Sequence, residues 1–556
     1  MTSKQTKTKI LVIDDERLIR MTLSAKLKLI GYLAVCVAST QEAVALLNNG
    51  GHKQFKAIIT DIMMGDMDGF VFRDILRGMD PTMPIFFITA LDPEEGSGFL
   101  KRILEDCYSF YLPKAVKTEM LLKRVQSIVD SRRVNEIIEE QSKEAREALE
   151  LAAHLQRNML PPRTIFTDTD FYTTWWNPKD QVSGDLFEVI PLKDDGKLYI
   201  LGDVQGHGPS AALSMMAVQS FLKQLPTIEN ISQASPAHIA NQIQGFFANN
   251  LGTYSYMTAL ICRHRPKQGF VDWISCGAPD LNVIDPENPN MDDINPEKRG
   301  GLPIGIMEDT VYTENQVVRT QISPTAICVA YTDGIIDVYK DKEGYEQMPE
   351  TLRKQLQSEL LTDARINRCI VTAPYKFQVV AEAYGYSVFS DDMTELIFGA
   401  HLDQPGVMVK SVPINALTID KTAQAIEQWC GEQGWPPEIA MKLQLVFEEK
   451  MMNLHDHGFD LRDRIQEQAC LRLKKTDSNV ELTVWDWGTP EPSISVAEGS
   501  LDTELELRNR QFSGHGRGRL MLREICNGIK RNRYGNLNET IYFIPLEDKS
   551  EKGEQQ

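Results

Sequence analysis

The chain of 556 residues has no uninterrupted apolar run of the roughly 18 residues that a membrane span requires. Its first residues, Met-Thr-Ser-Lys-Gln-Thr-Lys, lead into a short strand without the apolar core of a signal peptide. Both absences point to a cytoplasmic protein with no membrane partner. The nine cysteines are scattered without paired spacing, so neither a disulfide framework nor a Cys/His zinc site is expected. Positive charge is in deficit: 59 Lys and Arg against 78 Asp and Glu leave a net charge of −19. Such a surface repels phosphate backbones, which excludes a nucleic-acid output and favours protein or metal-nucleotide partners. The remainder is ordinary for a globular chain, 42% hydrophobic and 25% charged. The length suggests about three or four domains.

The chain is organised around residues 201–213, Leu-Gly-Asp-Val-Gln-Gly-His-Gly-Pro-Ser-Ala-Ala-Leu. An apolar strand runs into Asp203, glycines and a proline follow, and a helix is expected from Ser210. A carboxylate at the end of a buried strand, beside glycines that let the backbone approach a ligand, suits a hard cation.

Upstream, the apolar runs Lys9–Ile13, Ala57–Thr60, Ile85–Thr89 and Ser109–Leu112 alternate with helical patterns. The alternation predicts a parallel sheet covered by helices on both faces, with function at the carboxyl ends of its strands. Those ends carry Asp14, Asp15 and Glu16, then Asp61, Thr89 and Lys114. Clustered acids repel unless a cation sits among them, and a lysine with a hydroxyl suits a phosphoryl group. The matching chemistry is carboxylate attack on a phosphoryl donor to give an aspartyl phosphate. Residues 1–130 resemble the receiver domain of two-component response regulators, a flavodoxin-like (βα)5 fold. The resemblance implies Asp14 and Asp15 as Mg²⁺ ligands, with Asp61 as phosphoacceptor that also contacts the metal. It places Thr89 and Lys114 on the phosphoryl oxygens, makes Tyr111 a switch residue, and implies a sensor histidine kinase as partner. Gly65 and Ala115 stand where that family usually has proline.

Residues 131–162 read as a helical linker. Ile138, Ala145, Ala152 and Met159 repeat at seven, with Ala148 and Leu155 in the intervening seam. Either a narrow coiled coil joins two chains as a homodimer, or one solvated helix packs on a neighbour. Pro161-Pro162 ends the helix.

From 163 to 400, blocks of strands with helices between predict an α+β sandwich. Asp185, Asp203, Asp333 and the Asp391-Asp392 pair lie at strand ends or glycine turns far apart in sequence. Acids that converge need cations, and an oxygen-only set suits Mg²⁺ or Mn²⁺. The blocks Ser183-Gly-Asp185, Gly202–Gly208, Ser275-Cys-Gly-Ala-Pro279, Gly301–Gly305, Tyr331-Thr-Asp-Gly334 and Asp391-Asp-Met-Thr394 resemble the metal-dependent (PPM/PP2C-type) serine/threonine phosphatases of the RsbU/SpoIIE class. By that resemblance Asp203 bridges two Mn²⁺ or Mg²⁺ ions and the Val204 carbonyl joins one of them. Asp333 and Asp391 complete the other, and Asp185 acts directly or through water. Glu188, Cys276, Ala278 and Asp280 depart from the usual pattern and touch substrate contacts rather than the metals.

After a linker at 401–411, a domain is read over 412–546, with a charged tail at 547–556. Pro436-Pro437-Glu438 opens a helix carrying Glu449 and Asn453, which share a face. A strand leads into Asp486-Trp-Gly488, and the glycine-rich run from Ser513 to Arg519 opens a further helix near Leu520, a place where backbone N–H groups meet phosphates. The set resembles the GHKL ATPase fold of RsbW-type serine kinases. It implies ATP with Mg²⁺, Glu449 assisting the substrate serine and Asn453 on the metal. Asp486 would meet adenine, Gly488 would allow close approach, and Gly514, Gly516 and Gly518 would form the phosphate lid. A partner-binding domain without turnover is the alternative. In this order the domains resemble the response-regulator switch proteins of bacterial partner switching, the HsbR/CrsR type. These set the phosphorylation of a serine on a STAS-type anti-sigma-factor antagonist, with a sigma or anti-sigma factor as a further partner. Asp61 would select between opposed activities, and the expected direction is that its phosphorylation favours the phosphatase.

Overall fold

The computed structural model describes residues 8–48, 50–64, 68–89, 97–114, 117–227, 231–251, 255–287, 301–340, 347–366, 370–400, 405–459, 468–489 and 517–546. They fall into two compact units, Met1–Glu147 and Ala148–Gln556. Among the described residues no helix is long and apolar enough to cross a membrane.

The first unit is a parallel five-stranded sheet in the order Leu33–Val37, Lys9–Ile13, Phe55–Asp61, Ile85–Thr89, Ser109–Pro113. Its strands read as continuous apolar runs because both faces are covered. Successive side chains divide between two cores. Leu11, Ile13, Ile58, Ile85 and Phe87 pack with Phe70, Phe72 and Leu76 of the helix Gly69–Met79. Ile10, Val12, Ala57, Ile59, Phe86 and Ile88 pack with Leu23 and Leu27 of Arg17–Leu29 and with Leu121, Leu122, Val125 and Val129. The last four belong to one helix of 42 residues, Thr118–Met159. The stretch read as a linker from 131 is thus the continuation of the helix that closes the receiver.

The second unit opens with two antiparallel five-stranded sheets. One runs Val318–Gln321, Phe270–Cys276, Met257–Arg265, Lys197–Val204, Asp185–Pro191, and the other Asn282–Ile284, Ile327–Tyr331, Met393–Ala400, Asp170–Asn177, Thr164–Phe166. The larger core holds Leu198, Ile200, Leu260, Cys328, Leu396 and Phe398, together with Met215 and Val218 of the helix Pro209–Leu222. The alternate residues of the second sheet, among them Ile327, Val329, Tyr331 and Ile397, face a separate core completed by the helices Glu350–Ile366 and Ala373–Ala383. The tandem tryptophans follow this alternation: Trp176 lies in the first core and Trp175 in the second.

A third antiparallel sheet follows, in the order Val407–Pro413, Gln468–Lys475, Asn479–Asp486, Leu537–Pro545, Gly528–Tyr534. Its first strand extends into the stretch read as a linker, where Val407–Pro413 pairs antiparallel with Gln468–Lys474. One face packs Leu471, Leu473, Leu482 and Val484 on the helices Ala416–Glu432 and Pro437–Asn453. The other face contributes Cys470, Trp485 and Leu537 to the second of the two preceding cores.

Candidate functional site

In the receiver, the strand ends bring Asp14, Asp61, Thr89 and Lys114 together as the spacing predicts. Asp61 is buried, with its Oδ2 2.6 Å from Lys114 Nζ, and that ammonium also lies 4.0 Å from Asp14 and 3.8 Å from Glu16. Burial pushes the Asp14 carboxyl up, although the Glu16 amide, which donates to it at 2.8 Å, opposes this. Asp15 is exposed; its carbonyl accepts from Arg20. Thr89 is buried at the end of its strand, and its carbonyl accepts from the Lys114 amide at 2.9 Å. Tyr111 is half-buried on the last strand. Gly65 and Ala115 lie outside the described residues.

The central carboxylates converge from four directions. Asp185 opens the strand Asp185–Pro191 and pairs in register with Asp203 near the end of the neighbouring strand. Asp333 follows the strand Ile327–Tyr331, and Asp391 precedes Met393–Ala400. Gly334 is needed where the last two turns meet, since a Cβ there would lie 1.9 Å from the Asp392 carbonyl oxygen. Asp392 fastens the assembly: its two oxygens accept from the Lys179 and Gly184 amides at 2.8 and 2.7 Å. Val204 is buried, and the close approach of its carbonyl to Gly184 again leaves no room for a Cβ.

The electrostatics show the crowding. Burial, then the negative charges of Asp333, Asp391 and Asp392, push the Asp203 carboxyl up to about 8. Burial and Asp203 raise Asp185 as well, and burial and Asp391 raise Asp333. Thr332 and Thr394 donate to Asp185 Oδ2 at 2.8 and 2.6 Å, while Asp185 Oδ1 is buried without a hydrogen-bond partner. Among the described residues no three such groups are drawn tightly enough to enclose an ion as they stand. The mutual repulsion marks them as neighbours, and it is what a divalent cation drawing them inward would offset. The donor set is all oxygen, which fits Mg²⁺ or Mn²⁺. The two threonines were missed in the sequence although both stand inside the Tyr-Thr-Asp-Gly and Asp-Asp-Met-Thr blocks. Trp176 Nε1 donates to the Asp185 carbonyl at 3.1 Å, a contact that no local sequence pattern records. Glu188 is buried against Gln219, which donates to it at 2.8 Å, and burial pushes it up to about 7. His207 is exposed in the glycine turn.

In the C-terminal domain the helix Pro437–Asn453 carries Glu449 and Asn453 on one face, with Asn453 Nδ2 donating to Glu449 Oε1 at 3.1 Å. A π-helical turn, Leu454–Gly458, follows. Asp486 is fully buried. Its Oδ1 accepts from the Gly488 amide at 3.1 Å and from Asn538 at 2.8 Å, and Lys450 Nζ lies 3.1 Å from Oδ2. Gly488 leaves no room for a Cβ, which would lie 2.6 Å from the Gly458 carbonyl oxygen. Lys450 is a residue that no sequence pattern singles out: it looks like a solvated helix position, yet it is 3% exposed. The helix expected near Leu520 begins at Arg517 and includes Gly518, while Gly514 and Gly516 lie outside the described residues.

Three families match the chain in succession. The response regulator receiver domain matches residues 10–126, stage II sporulation protein E (SpoIIE) residues 193–399, and the histidine kinase-like ATPase domain residues 413–543. The phosphoserine phosphatase RsbP of Bacillus subtilis is 25% identical over 196 residues, 34% of this chain and 45% of that protein. The probable transcriptional regulator ycf27 of Guillardia theta is 38% identical over 89 residues, 16% of this chain and 33% of that one. The chain thus spans less than half the length of these two curated relatives. A structure of the RsbU and RsbW domains of a Mycobacterium tuberculosis protein aligns with a TM-score of 0.37 at 15% identity, covering 69% of this chain and 96% of that one. The chain carries, in order, a response regulator receiver domain, a SpoIIE-type phosphatase domain and a histidine kinase-like ATPase domain.

Proposed function

We propose that the chain removes phosphate from a serine of an anti-sigma-factor antagonist under control of phosphorylation at Asp61. The observation that carries this reading is the crowding of carboxylates on Asp203, which feels the charges of Asp333 and Asp391 and pairs in register with Asp185, whose Oδ1 is buried without a hydrogen-bond partner. Asp203, the Val204 carbonyl, Asp333 and Asp391 would hold two Mn²⁺ or Mg²⁺ ions, with Asp185 beside them. Such a pair supplies an acidified water and charge stabilisation of the phosphoryl oxygens. Thr332 and Thr394 hold Asp185 in orientation, and Asp392 keeps the turn of Asp391 against Gly184. In the receiver, Asp14 and Asp15 would hold Mg²⁺, Asp61 would accept the phosphoryl group from a sensor histidine kinase, and Lys114 and Thr89 would hold its oxygens.

In this reading the C-terminal domain returns phosphate from ATP to the same serine. Glu449 takes up the serine proton, Asn453 holds the Mg²⁺ of the nucleotide, and Asp486 with Gly488 meets adenine. One observation favours the second reading, a partner-binding domain without turnover: Asp486 is wholly enclosed by Lys450, Gly488 and Asn538. Incubation of the full chain with labelled ATP and the antagonist separates the two. Label transfer that is lost in Glu449→Ala identifies a kinase, whereas binding of the antagonist without transfer identifies the module. A small phosphodonor labels the receiver of the wild type and not of Asp61→Ala; labelling of that variant contradicts the assignment.

A further inference from the structure

The nucleotide motif of the C-terminal domain and the carboxylate cluster of the phosphatase are anchored in one continuous body of side chains. Trp487, between Asp486 and Gly488, donates through Nε1 to the Tyr375 hydroxyl at 2.6 Å. Tyr375 is 2% exposed on the helix Ala373–Ala383, and the chain then runs through the strand Tyr386–Phe389 into Asp391 and Asp392. Tyr375, Trp485, Ile335 and Met393 belong to the same apolar core, with Trp487 packed against it. Ile335 follows Asp333 by two residues, and Met393 follows Asp391 by two. A second route lies alongside. A cavity of about 310 Å³ is lined by Gly458, Trp487 and Thr489 together with Trp176 and Phe187. Trp176 is the side chain that holds the Asp185 carbonyl.

The enclosure of Asp486 makes this junction a device with two positions. A base reaches the carboxylate only if the hydrogen-bonded turn Asp486–Gly488 opens and Lys450 gives way. Opening the turn displaces Trp487, and Trp487 cannot shift without changing its bond to Tyr375. We propose that nucleotide binding to the C-terminal domain is coupled through the Trp487–Tyr375 bond to the phosphatase carboxylate cluster, so that occupancy of one site changes the working of the other. The coupling keeps opposed activities on one chain from running independently, and it operates whatever the state of the receiver. It rests on the nucleotide-binding reading of the C-terminal domain.

The test uses the full chain, p-nitrophenyl phosphate as a small substrate that needs no partner docking, and a non-hydrolysable ATP analogue at fixed free Mn²⁺. Binding of the analogue is measured by calorimetry on the same samples. The expected result is a change of at least about fivefold in hydrolysis rate or in half-saturating Mn²⁺, the lower end of ordinary coupling. Its midpoint matches the calorimetric affinity. Tyr375→Phe keeps the ring and loses the hydroxyl; it hydrolyses the substrate and binds the analogue as wild type does, but the change falls below about twofold. Trp487→Phe removes the donor; with the analogue brought to saturation for that variant by calorimetry, the change again falls below about twofold. Analogue binding to wild type with no change in hydrolysis overturns the coupling and leaves the nucleotide reading intact. Absence of binding overturns both. A change that persists in Asn453→Ala, which loses the analogue, or that survives in both aromatic variants, also overturns it.

Discussion

Two single residues carry consequences that side-chain chemistry alone would not suggest. Gly334 lets the Asp333 turn lie on the Asp392 carbonyl, where a Cβ would be 1.9 Å from that oxygen. Gly334→Ala therefore forces backbone apart at the junction of the two turns that carry Asp333 and Asp391. It is expected to destabilise the fold by about 2 kcal/mol or more and to weaken Mn²⁺-dependent activity in parallel, read by chemical denaturation and phosphatase assay. Glu395 is buried beside Gln357, which donates to it at 2.8 Å, and burial pushes its carboxyl up to about 7. An acid raised in the folded state holds a proton that the unfolded chain has released, so its contribution falls as pH rises from about 4.5 through 7. Glu395→Gln removes that penalty. Its stability relative to wild type should rise between pH 5 and pH 8 by up to about 3 kcal/mol. A pH-independent difference would contradict the assignment.

At the scale of elements, legibility followed the physics of each pattern. The receiver strands were readable because a sheet covered on both faces concentrates apolar residues into runs. The helix Pro236–Asn250 starts where its sequence marks a start, with Ser235 capping the His238 amide and proline at the first helical position. The strand Asp185–Pro191 was missed because it begins at the very acid that drew attention as a site residue. The strand Val407–Pro413 was missed because Pro405 before it and Pro413 at its end read as punctuation around a linker. The acids themselves were readable from strand ends and glycines, but Thr332, Thr394, Trp176 and Lys450 act through contacts between distant segments, which no local pattern records. The helix Thr118–Met159 leaves Val134, Ile138, Leu151 and Leu155 about half exposed, at 53%, 56%, 54% and 50%. An apolar seam of this kind on a long helix is covered when two chains pair. Ile138→Glu combined with Leu155→Glu is expected to convert a dimer to a monomer in light scattering while leaving the far-ultraviolet spectrum unchanged. A wild-type monomer at tens of micromolar would contradict the pairing.

For the molecule as a whole, the order of domains places a receiver domain ahead of a SpoIIE-type phosphatase domain and a histidine kinase-like ATPase domain. The receiver ends in a helix that continues to Met159 and is capped by Pro161-Pro162, just before the first phosphatase strand. Beyond it the phosphatase and kinase-like domains share an apolar core. This organisation has meaning only if the central domain works through metal held by its carboxylates. The most direct measurement is the rate of phosphate release from the serine-phosphorylated antagonist as a function of Mn²⁺, for wild type and for Asp203→Asn. The wild-type rate should rise with Mn²⁺ and vanish on chelation. Loss of about 4 kcal/mol of transition-state stabilisation in the variant should slow it by about a thousandfold. A variant within tenfold of wild type, or a wild-type rate indifferent to chelation, would contradict the account.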